Sequence, residues 1–562
     1  MKKHIVTLCI LSSVFISACG GSGSSSDNSD NSNNNGNTDT NGGGTTVVLP
    51  GQPKDGLAPI SAHTPDKNEH LSGGEVSTNV FNQDAFSQSA KVIQSDFELE
   101  GVFKAGDQLF RTLHDGQGPL FNNATCQGCH IKDGRGEVPR NPSMPMTSMF
   151  LRISDDKGTP DIIYGDQIQT FGTVADHNEG ALPKYNGALN EGLAYGEAYA
   201  FVEYEVINGQ FNDGEAYQLR KPIYKVKDLS YGDFNDSVRL SPRVSPSVFG
   251  SGLLHAIPED YITSYADPDD INNDGISGRA VYVDEPISNE NKLARFGYKA
   301  VTASVLQQIS GAYRGDMGVT NIVAQEEPCT SMQAACINKA EQEKDDRENG
   351  LDLSKLSLAQ VEFYNRLLAV PQRRGYNAQT NTWNADVLTG RELFHQAQCI
   401  SCHVPRHKTG QAEGSLLGDA GLLDISDTST PIAALSEQVI YPYTDLLLHD
   451  MGGHCPEITR EDDEGNSCLS GSQCYWVQKC EGLADDRPEG SATGTEWKTP
   501  ALWGLGLVQT VNPNATFLHD GRARTITEAI LWHDGEAKAA KQNFVALSKA
   551  ERTQLLTFLE SL

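Results

Sequence analysis

The stretches Cys126-Gln127-Gly128-Cys129-His130 and Cys399-Ile400-Ser401-Cys402-His403 carry most of the information about the fold of this 562-residue chain. Two thiols at Cys-x-x-Cys spacing can add across the vinyl groups of one haem, and the next histidine is placed to ligate its iron. A zinc knuckle or a redox dithiol is the alternative, but the trailing histidine and the second copy favour haem. The sequence predicts two covalent haem c groups, attached at Cys126, Cys129, Cys399 and Cys402 and ligated by His130 and His403.

A similar helix is predicted before each motif. Gly106-Asp107-Gln108-Leu109-Phe110 precedes the first motif and Gly390-Arg391-Glu392-Leu393-Phe394 precedes the second. Each Gly-x-x-Leu-Phe lies in a predicted amphipathic helix whose apolar face can cover a haem edge. Gly, Asn and Thr break the helical pattern near residues 375–383. We therefore expect a mainly α protein with two cytochrome c-like haem domains, at residues 95–375 and 384–562.

The chain between the two motifs is too long for one cytochrome c domain. Residues 358–368 have helical periodicity and end before Pro371, which predicts a helix there. Residues 200–206 (Ala-Phe-Val-Glu-Tyr-Glu-Val) are strand-like. The first domain is therefore expected to carry a large irregular insertion that contains β-strands.

The N-terminus has the pattern of an export signal. A basic start is followed by an apolar stretch at residues 5–16 and then by Ser17-Ala18-Cys19. The apolar stretch is too short to span a bilayer. We predict a lipoprotein signal peptide at 1–18 and acylation of Cys19; an ordinary cleavage site with a chance cysteine is the alternative. By resemblance to Gram-negative lipoproteins, Gly20 favours a periplasmic protein anchored to the outer membrane.

Residues 19–58 are predicted to form a disordered Ser/Asn/Gly tether. From Gly20 to Thr46 the chain contains only Gly, Ser, Asn, Asp and Thr, which cannot bury a core. Such a tether has a root-mean-square reach of ~30 Å.

Charge and cysteine content fit an exported protein. A formal charge of −30 excludes nucleic acid and favours a cationic partner such as a small electron-donor cytochrome; solubility alone is the alternative explanation. Apart from Cys9, Cys19 and the motifs, six cysteines remain, an even number that predicts three disulfides in an oxidising compartment. We expect Cys329 to pair with Cys336. The connectivity of the other four stays open, and metal binding is their alternative role: Cys455, Cys468, Cys474 and Cys480.

The C-terminal third resembles a known family. Trp497-Lys498-Thr499-Pro500-Ala501-Leu502-Trp503, residues 517–522 (Phe-Leu-His-Asp-Gly-Arg) and residues 526–530 (Ile-Thr-Glu-Ala-Ile) follow one another as in the second haem domain of bacterial di-haem cytochrome c peroxidases. Further segments resemble the di-haem oxidoreductase family of peroxidase-like proteins, sometimes labelled thiol oxidoreductase-like: 243–246, 295–300, 315–318 and 441–452. The resemblance covers roughly residues 95–562. It implies an enzyme whose second haem passes electrons to the first, to reduce hydrogen peroxide or to oxidise an unknown substrate.

The resemblance also suggests a distal ligand for the second haem. Those peroxidases place a methionine fourteen residues after the histidine of a His-x-Gly motif, and counting from His519 gives His533. Bis-histidine ligation would lower the reduction potential relative to His/Met ligation. Met451 is the competing ligand. Structural hydrogen bonding is the expected role of His449, His454 and His519.

The acid–base group of the first haem is harder to assign. Peroxide cleavage needs a group that moves a proton between the two oxygens. The family glutamate aligns with Gln307, which donates a hydrogen bond but cannot shuttle a proton. The alternative acid–base groups lie in the predicted insertion: His255, Glu259, Glu203 and Glu205. The tryptophan that related peroxidases place between the haems also has no counterpart, and Trp503 is the substitute.

One loop of the sequence has the spacing of a calcium site. Asp270, Asn272 and Asp274 alternate like calcium ligands before Gly275, but Val281 occupies the twelfth position, so a metal-free Asx turn is an equal alternative to calcium.

The competing functions are a non-catalytic di-haem electron-transfer cytochrome and a haem-bearing accessory protein.

Overall fold

The computed structural model describes residues 54–114, 118–172, 194–344, 348–414, 416, 432–469 and 474–562. The predicted signal peptide, Cys19 and the tether up to residue 53 lie outside the described residues. Within those ranges, none of the helices combines the length and the hydropathy that a membrane span requires.

The helices are mostly short and are joined by long irregular segments. The α-helices of the described residues, numbered along the chain, are α1 Lys91–Gln94, α2 Phe97–Arg111, α3 Cys126–Cys129, α4 Ser251–His255, α5 Glu259–Thr263, α6 Val305–Met317, α7 Ala334–Lys344, α8 Lys355–Leu367, α9 Ala385–Gln396, α10 Val508–Val511, α11 Ile526–Trp532, α12 Lys538–Ala546 and α13 Lys549–Ser561. Short 3-10 helices lie at Gly74–Val76, Ile131–Asp133, Glu348–Gly350, Cys399–Ser401, Ala433–Leu435, Leu505–Leu507 and Gly535–Ala537.

The strands form several small sheets. The larger sheets, in spatial order, are Thr459–Glu461, Tyr475–Lys479, Ala216–Lys227 and Tyr199–Gln210; Gln167–Ile168, Met149–Ser154 and Arg239–Val244; and Leu120–Phe121, Phe171–Gly172 and Ala194–Tyr195. The pairs are Ser77–Thr78 with Val370–Pro371, Tyr282–Glu285 with Glu290–Leu293, Tyr376–Asn377 with Thr382–Trp383, His407–Lys408 with Val439–Ile440, Leu448–Asp450 with Glu496–Lys498, and Gly453–His454 with Glu481–Gly482.

The prediction of a mainly α protein is wrong, because the described residues are only 29% helical and are 20% strand. The long hairpin Tyr199–Gln210/Ala216–Lys227 contains the strand predicted at 200–206, which is confirmed. Its second strand also pairs with Tyr475–Lys479, more than two hundred residues away. The β structure therefore joins the two predicted domains, residues 95–375 and 384–562, which are called the first and the second half below.

The two predicted Gly-x-x-Leu-Phe helices are confirmed as α2 and α9, and the predicted helix at 358–368 is confirmed as α8. Helix α2 packs against α8, and α9 packs against α13. A Cβ atom on Gly106 would lie 2.2 Å from the carbonyl oxygen of Gln360, and one on Gly390 would lie 2.0 Å from that of Gln554. Only glycine permits such close crossings. The two halves thus share one helix-crossing geometry.

Aromatic side chains fix the register of these crossings. The ring of Phe110 packs 5.6 Å from that of Tyr364, and the ring of Phe394 packs 5.2 Å from that of Phe558. Each phenylalanine also faces the histidine of its own motif, with centroid distances of 6.0 Å and 6.3 Å. Tyr364 of α8 therefore corresponds to Phe558 of α13.

A second repeated element lies where the halves meet. Residues 244–253 (Val-Ser-Pro-Ser-Val-Phe-Gly-Ser-Gly-Leu) match residues 498–507 (Lys-Thr-Pro-Ala-Leu-Trp-Gly-Leu-Gly-Leu), and Gly250 and Gly504 share φ values of 73° and 71°. A Cβ atom on Gly250 would lie 2.5 Å from the ring of Trp503, and one on Gly504 would lie 2.5 Å from the ring of Phe249. Each repeat therefore inserts an aromatic ring against the glycine of the other.

The three predicted disulfides are confirmed. Cys329 pairs with Cys336 as expected, and the open connectivity resolves as Cys455–Cys480 and Cys468–Cys474. The four cysteines of the two motifs are not disulfide-bonded.

Candidate functional site

The first Cys-x-x-Cys-His motif forms a capped turn of helix. The Thr125 side chain accepts a hydrogen bond from the Gly128 amide at 3.0 Å, which starts α3. His130 follows α3, and its Nδ1 lies 2.7 Å from the carbonyl oxygen of Pro246. Because a carbonyl can only accept, Nδ1 carries the proton and Nε2 keeps the lone pair that a metal needs.

The second motif repeats this arrangement. Cys399–Ser401 forms the turn, and His403 Nδ1 lies 3.1 Å from the carbonyl oxygen of Tyr443. Burial lowers the pKa of both His130 and His403 to about 4, so each imidazole is neutral at pH 7. Neutral imidazole with an engaged Nδ1 is the form in which histidine ligates a metal.

The chemistry of the four motif thiols fits thioether attachment. Burial raises the pKa of Cys126 and of Cys399 to about 12, and it raises the pKa of Cys129 and Cys402 as well. Such thiols stay protonated at neutral pH, unlike those of reactive dithiols. The described residues also contain no cluster of three or more His, Cys, Asp or Glu suited to a metal ion.

The structure brings His533 close to His403. His533 follows α11, and its Nδ1 lies 2.8 Å from the carbonyl oxygen of Ala529, which leaves Nε2 available. Burial is the main cause of the low pKa of His403, and the proximity of His533 lowers it further. For Met451 the structure records partial core packing and a backbone bond to Thr495 at 3.0 Å.

His449 is committed to hydrogen bonding, as expected. Its Nε2 lies 2.8 Å from Asp445 Oδ2 and its Nδ1 lies 2.7 Å from Glu536 Oε2, so both ring nitrogens are occupied. Burial would lower its pKa, but Cys402 and Asp445 raise it well above the usual value.

The other two histidines are placed differently. His519 stacks on Trp497 with a centroid distance of 3.7 Å, and His454 lies exposed in a short strand. Stacking, rather than the expected hydrogen bonding, is thus the recorded role of His519.

Two acid–base candidates serve local structure. Gln307 Oε1 accepts from the Ala303 amide at 2.8 Å, which closes the N-terminal cap of α6. Glu259 accepts from the Leu293 amide at 2.8 Å. These bonds hold the side chains of Gln307 and Glu259, and neither bond is with the motif at 126–130.

The remaining candidates lie in contrasting surroundings. Glu203 forms an ion pair with Lys225 at 2.8 Å, and Glu205 is exposed. His255 is half-buried, its buried Nδ1 has no hydrogen-bond partner among the described residues, and its Nε2 lies 3.6 Å from Glu413. Burial holds the pKa of His255 well below its usual value.

Sequence reasoning missed a pair beside the first motif. Burial raises the pKa of Tyr313 well above its usual value, and the neighbouring Cys126 thiol raises it further. The hydroxyl also lies 3.3 Å from Nε2 of His114, which is half-buried. No sequence motif marks these residues, because they are nearly two hundred positions apart.

The Asp270–Gly275 loop uses its oxygens in turns. Gly275 donates to Asp270 at 3.2 Å, the Asp274 amide donates to Asn272 at 2.9 Å, and the Ile276 amide donates to Asp274 at 2.9 Å. These are the bonds of an Asx-rich turn. Calcium at Asp270, Asn272 and Asp274 stays a prediction.

Trp503 connects the loops that hold the two motif histidines. It is 5% exposed and contacts Gly250, which lies four residues after Pro246, the partner of His130. The preceding Leu502 amide donates to the carbonyl of Pro442 at 2.7 Å, and the next residue along, Tyr443, is the partner of His403.

These features define a haem-dependent redox protein with two similar halves. The sequence model of the family described as "Di-haem oxidoreductase, putative peroxidase" matches residues 71–468 and 472–562, and the chain belongs to this family. The predicted resemblance is therefore confirmed, and haem cofactors follow at the level of the family.

Other comparisons add little. No curated protein matches the chain. Among solved structures it is similar to Kuenenia stuttgartiensis hydrazine synthase pressurized with 20 bar xenon, at 12% identity and a TM-score of 0.30, over 92% of this chain and 100% of that chain. A likeness at this TM-score supports no conclusion about function.

Proposed function

We propose that this protein is a peroxidase-like di-haem c-type oxidoreductase. Cys126 and Cys129 would attach the first haem and Cys399 and Cys402 the second, with the histidine of each motif as iron ligand. A c-type haem supplies a redox-active iron whose sixth position, where free, can accept a small oxidant such as hydrogen peroxide. The protonated thiols and the two neutral imidazoles support this assignment.

One observation supports catalysis at the first motif. The Ser304 hydroxyl accepts from the Gln307 amide at 3.0 Å and starts α6, and the Thr525 hydroxyl accepts from the Glu528 amide at 3.1 Å and starts α11. Eight residues after these caps stand Ala312 and His533 respectively. Alanine offers no ligand atom where the second half has a histidine.

This difference assigns unlike roles to the halves. His403 with His533 would saturate the second iron and lower its potential, which suits an electron donor. Of the equivalent positions 130 and 312 in the first half, only His130 offers an iron ligand. This suits a site that admits a substrate. Electrons would pass from the second site to the first.

Trp503 is suited to lie on that path. Its ring packs against Gly250, and its own loop is bonded to Pro442, so it shortens the gap between the segments that hold His130 and His403. Trp497 is less suited, because Arg243 and Lys299 lie 4.5 Å and 4.4 Å from its ring and disfavour its oxidation.

Tyr313 and His114 are the proposed proton-handling pair in place of the family glutamate. The raised pKa keeps the Tyr313 hydroxyl protonated at neutral pH, so it can donate a hydrogen bond to a developing negative charge on oxygen. His114 Nε2 lies 3.0 Å from the Leu109 carbonyl oxygen, which can only accept, so this nitrogen carries a proton that it would pass to the Tyr313 hydroxyl at 3.3 Å.

The test is low-temperature electron paramagnetic resonance of haem-loaded protein. Wild type should show one low-spin and one high-spin ferric signal, and hydrogen peroxide should consume the high-spin one. His533→Ala should convert the low-spin signal to high-spin, and Ala312→His should do the reverse at the first site and abolish peroxide turnover. Met451→Leu is the control and should change neither signal.

Other results would redirect the assignment. Two low-spin signals that ignore peroxide would identify an electron-transfer cytochrome. Loss of the low-spin signal in Met451→Leu rather than His533→Ala would make Met451 the ligand.

The proposed partners follow from charge and export. The net charge of −30 suits a small basic periplasmic cytochrome as electron donor. Acylation at Cys19 would anchor the protein to the outer membrane on its periplasmic side.

A further inference from the structure

A tyrosine and a carboxylate form a buried pair beside the first motif. The Tyr364 hydroxyl donates to Asp133 Oδ1 at 2.6 Å, and both residues are 0% exposed. Asp133 lies three residues after His130, whereas Tyr364 lies on α8, more than two hundred residues further along the chain. Neither side chain has a role in the function proposed above.

The internal repeat shows that the fold does not require this pair. Tyr364 corresponds to Phe558 at the helix crossings. Counting three residues on from the histidine of each motif, Asp133 corresponds to Arg406, which is also buried and donates to Asp66 at 2.6 Å. The second half therefore has neither the phenol nor the carboxylate, although it has the same helix crossing. The pair is specific to the half whose proposed distal position carries alanine.

One aromatic ring connects Tyr364 to the first motif. The Tyr364 ring packs 5.6 Å from the ring of Phe110, and the Phe110 ring lies 6.0 Å from the imidazole of His130, the proposed iron ligand. These are short steps between neighbouring π systems. An electron that leaves Tyr364 therefore has a direct way to the first haem site.

The surroundings of Asp133 suit it to take a proton from Tyr364. A phenol that loses an electron becomes strongly acidic, so a base within hydrogen-bond distance takes up its proton. Asp133 also accepts from Arg111 Nη2 at 2.8 Å and from the Ser87 hydroxyl. Arg111 has a second carboxylate partner, Asp107, at 2.5 Å. Protonation of Asp133 would therefore leave Arg111 paired.

Two other tyrosines beside the motifs are less suited to lose a proton. Tyr313 faces His114 Nε2, which already carries a proton. Tyr443, beside the second motif, donates to Glu69, which accepts from two arginines as well and has a pKa of about 2. Tyr364 faces a carboxylate that accepts from one guanidinium, so it has the better base.

We propose that Tyr364 supplies one electron to the first site when hydrogen peroxide arrives before an electron donor. This inference rests on the proposed peroxidase-like function. Cleavage of the O–O bond takes two electrons, one from the haem iron and one from Tyr364, whose O–H bond breaks as its proton moves to Asp133 Oδ1. A neutral tyrosyl radical and a neutral carboxylic acid remain.

A donor then completes the reaction. Two electrons from the donor and two protons from solvent complete the reduction of one hydrogen peroxide to two water molecules. One of these electrons reduces the tyrosyl radical, and Asp133 returns its proton to Tyr364. The pair thus stores one oxidising equivalent inside the protein until a donor binds.

Rapid-freeze electron paramagnetic resonance of the haem-loaded full-length protein tests this role, with both haems ferric and no reductant present. Peroxide should consume the high-spin signal and produce a narrow organic-radical signal in the same samples. Ring-deuterated tyrosine should narrow that signal further, which identifies the radical as a tyrosine. Tyr364→Phe should abolish the radical, while peroxide still consumes the high-spin signal.

A second variant and a matched control accompany Tyr364→Phe. Asp133→Asn keeps a hydrogen-bond acceptor for the phenol but removes the base, so the radical should be lost there too. Tyr224→Phe is the control, because Tyr224 is also buried and donates to a carboxylate, that of Asp520. Its radical signal should equal that of wild type. Phenylalanine already occupies the equivalent position 558, so Tyr364→Phe should fold and keep its haem spectrum even if Asp133→Asn does not.

The outcomes separate this inference from the proposed function. If peroxide consumes the high-spin signal without forming a tyrosyl radical, or if the radical persists in Tyr364→Phe, the role of Tyr364 is overturned and the peroxidase-like function stands. If peroxide leaves the high-spin signal unchanged, both are overturned.

Discussion

Glu69 is predicted to hold the second haem site together, although it lies outside both predicted domains. Its carboxylate is 1% exposed and accepts hydrogen bonds from Arg373, from Arg391 Nε at 3.0 Å and from the Tyr443 hydroxyl at 3.0 Å. The carbonyl of that tyrosine holds His403. Glu69→Gln should therefore destabilise the protein by leaving two buried guanidinium groups short of one negative charge.

The magnitude follows from the pKa of Glu69. Burial alone would raise it, but Arg373, Arg391 and their hydrogen bonds lower it from 4.5 to about 2. A fall of that size corresponds to about 3 kcal/mol of stability at pH 7. Because the pKa is depressed in the folded state, this contribution is complete above pH 4.5 and is lost as the pH falls toward 2. At pH 3 about 1 kcal/mol should remain.

Urea unfolding of the haem-loaded protein at pH 7 and pH 3 measures both values. The difference between wild type and Glu69→Gln should shrink from about 3 to about 1 kcal/mol between the two pH values. Glu437→Gln, which removes a solvent-exposed partner of Lys408, is the control and should have no measurable effect. An equal loss at both pH values would refute the electrostatic explanation, and so would the absence of a loss at pH 7.

The remaining predictions concern the helix crossing and the membrane anchor. Gly390→Ala should lower the free energy of unfolding by about 3 kcal/mol, because its Cβ would meet the Gln554 carbonyl at 2.0 Å, whereas Gly101→Ala in α2 meets nothing within 4 Å and should be neutral or stabilising. Thermal unfolding compares the two, and equal midpoints would contradict the tight crossing. If Cys19 is acylated, Cys19→Ser should move the protein from the membrane to the soluble fraction on cell fractionation. Retention in the membrane would contradict acylation.

Local sequence patterns predicted the features that depend on near neighbours. The Gly-x-x-Leu-Phe helices, the helix of residues 355–367 and the Cys329–Cys336 disulfide each involve residues within a few turns of one another. The pairing of the other four cysteines required the strand Tyr475–Lys479 to be placed first, and that strand pairs with Ala216–Lys227. Long-range strand pairing leaves no trace in local periodicity, which explains the error in fold class.

Site prediction failed for a related reason. Alignment led to Gln307 because it occupies the position of a catalytic residue in the family, but its side chain caps the helix it lies on. Tyr313 and His114 meet only after α2 and α6 have packed beside the first motif. Glu69 likewise reaches Arg373 and Arg391 only in the folded chain. A sequence motif can identify residues that bind a group together, but not residues that converge from separate elements.

The internal repeat explains how one fold could hold the two unlike haem sites proposed above. The backbone is the same at the helix crossings, at Gly250 and Gly504, and at the caps of α6 and α11, so the two halves impose the same constraints on their side chains. They differ where a side chain adds or withholds a function. His533 replaces Ala312 at the proposed distal position. The expected consequence is that exchanging residues 312 and 533 should exchange the spin states of the two irons while the common backbone is retained.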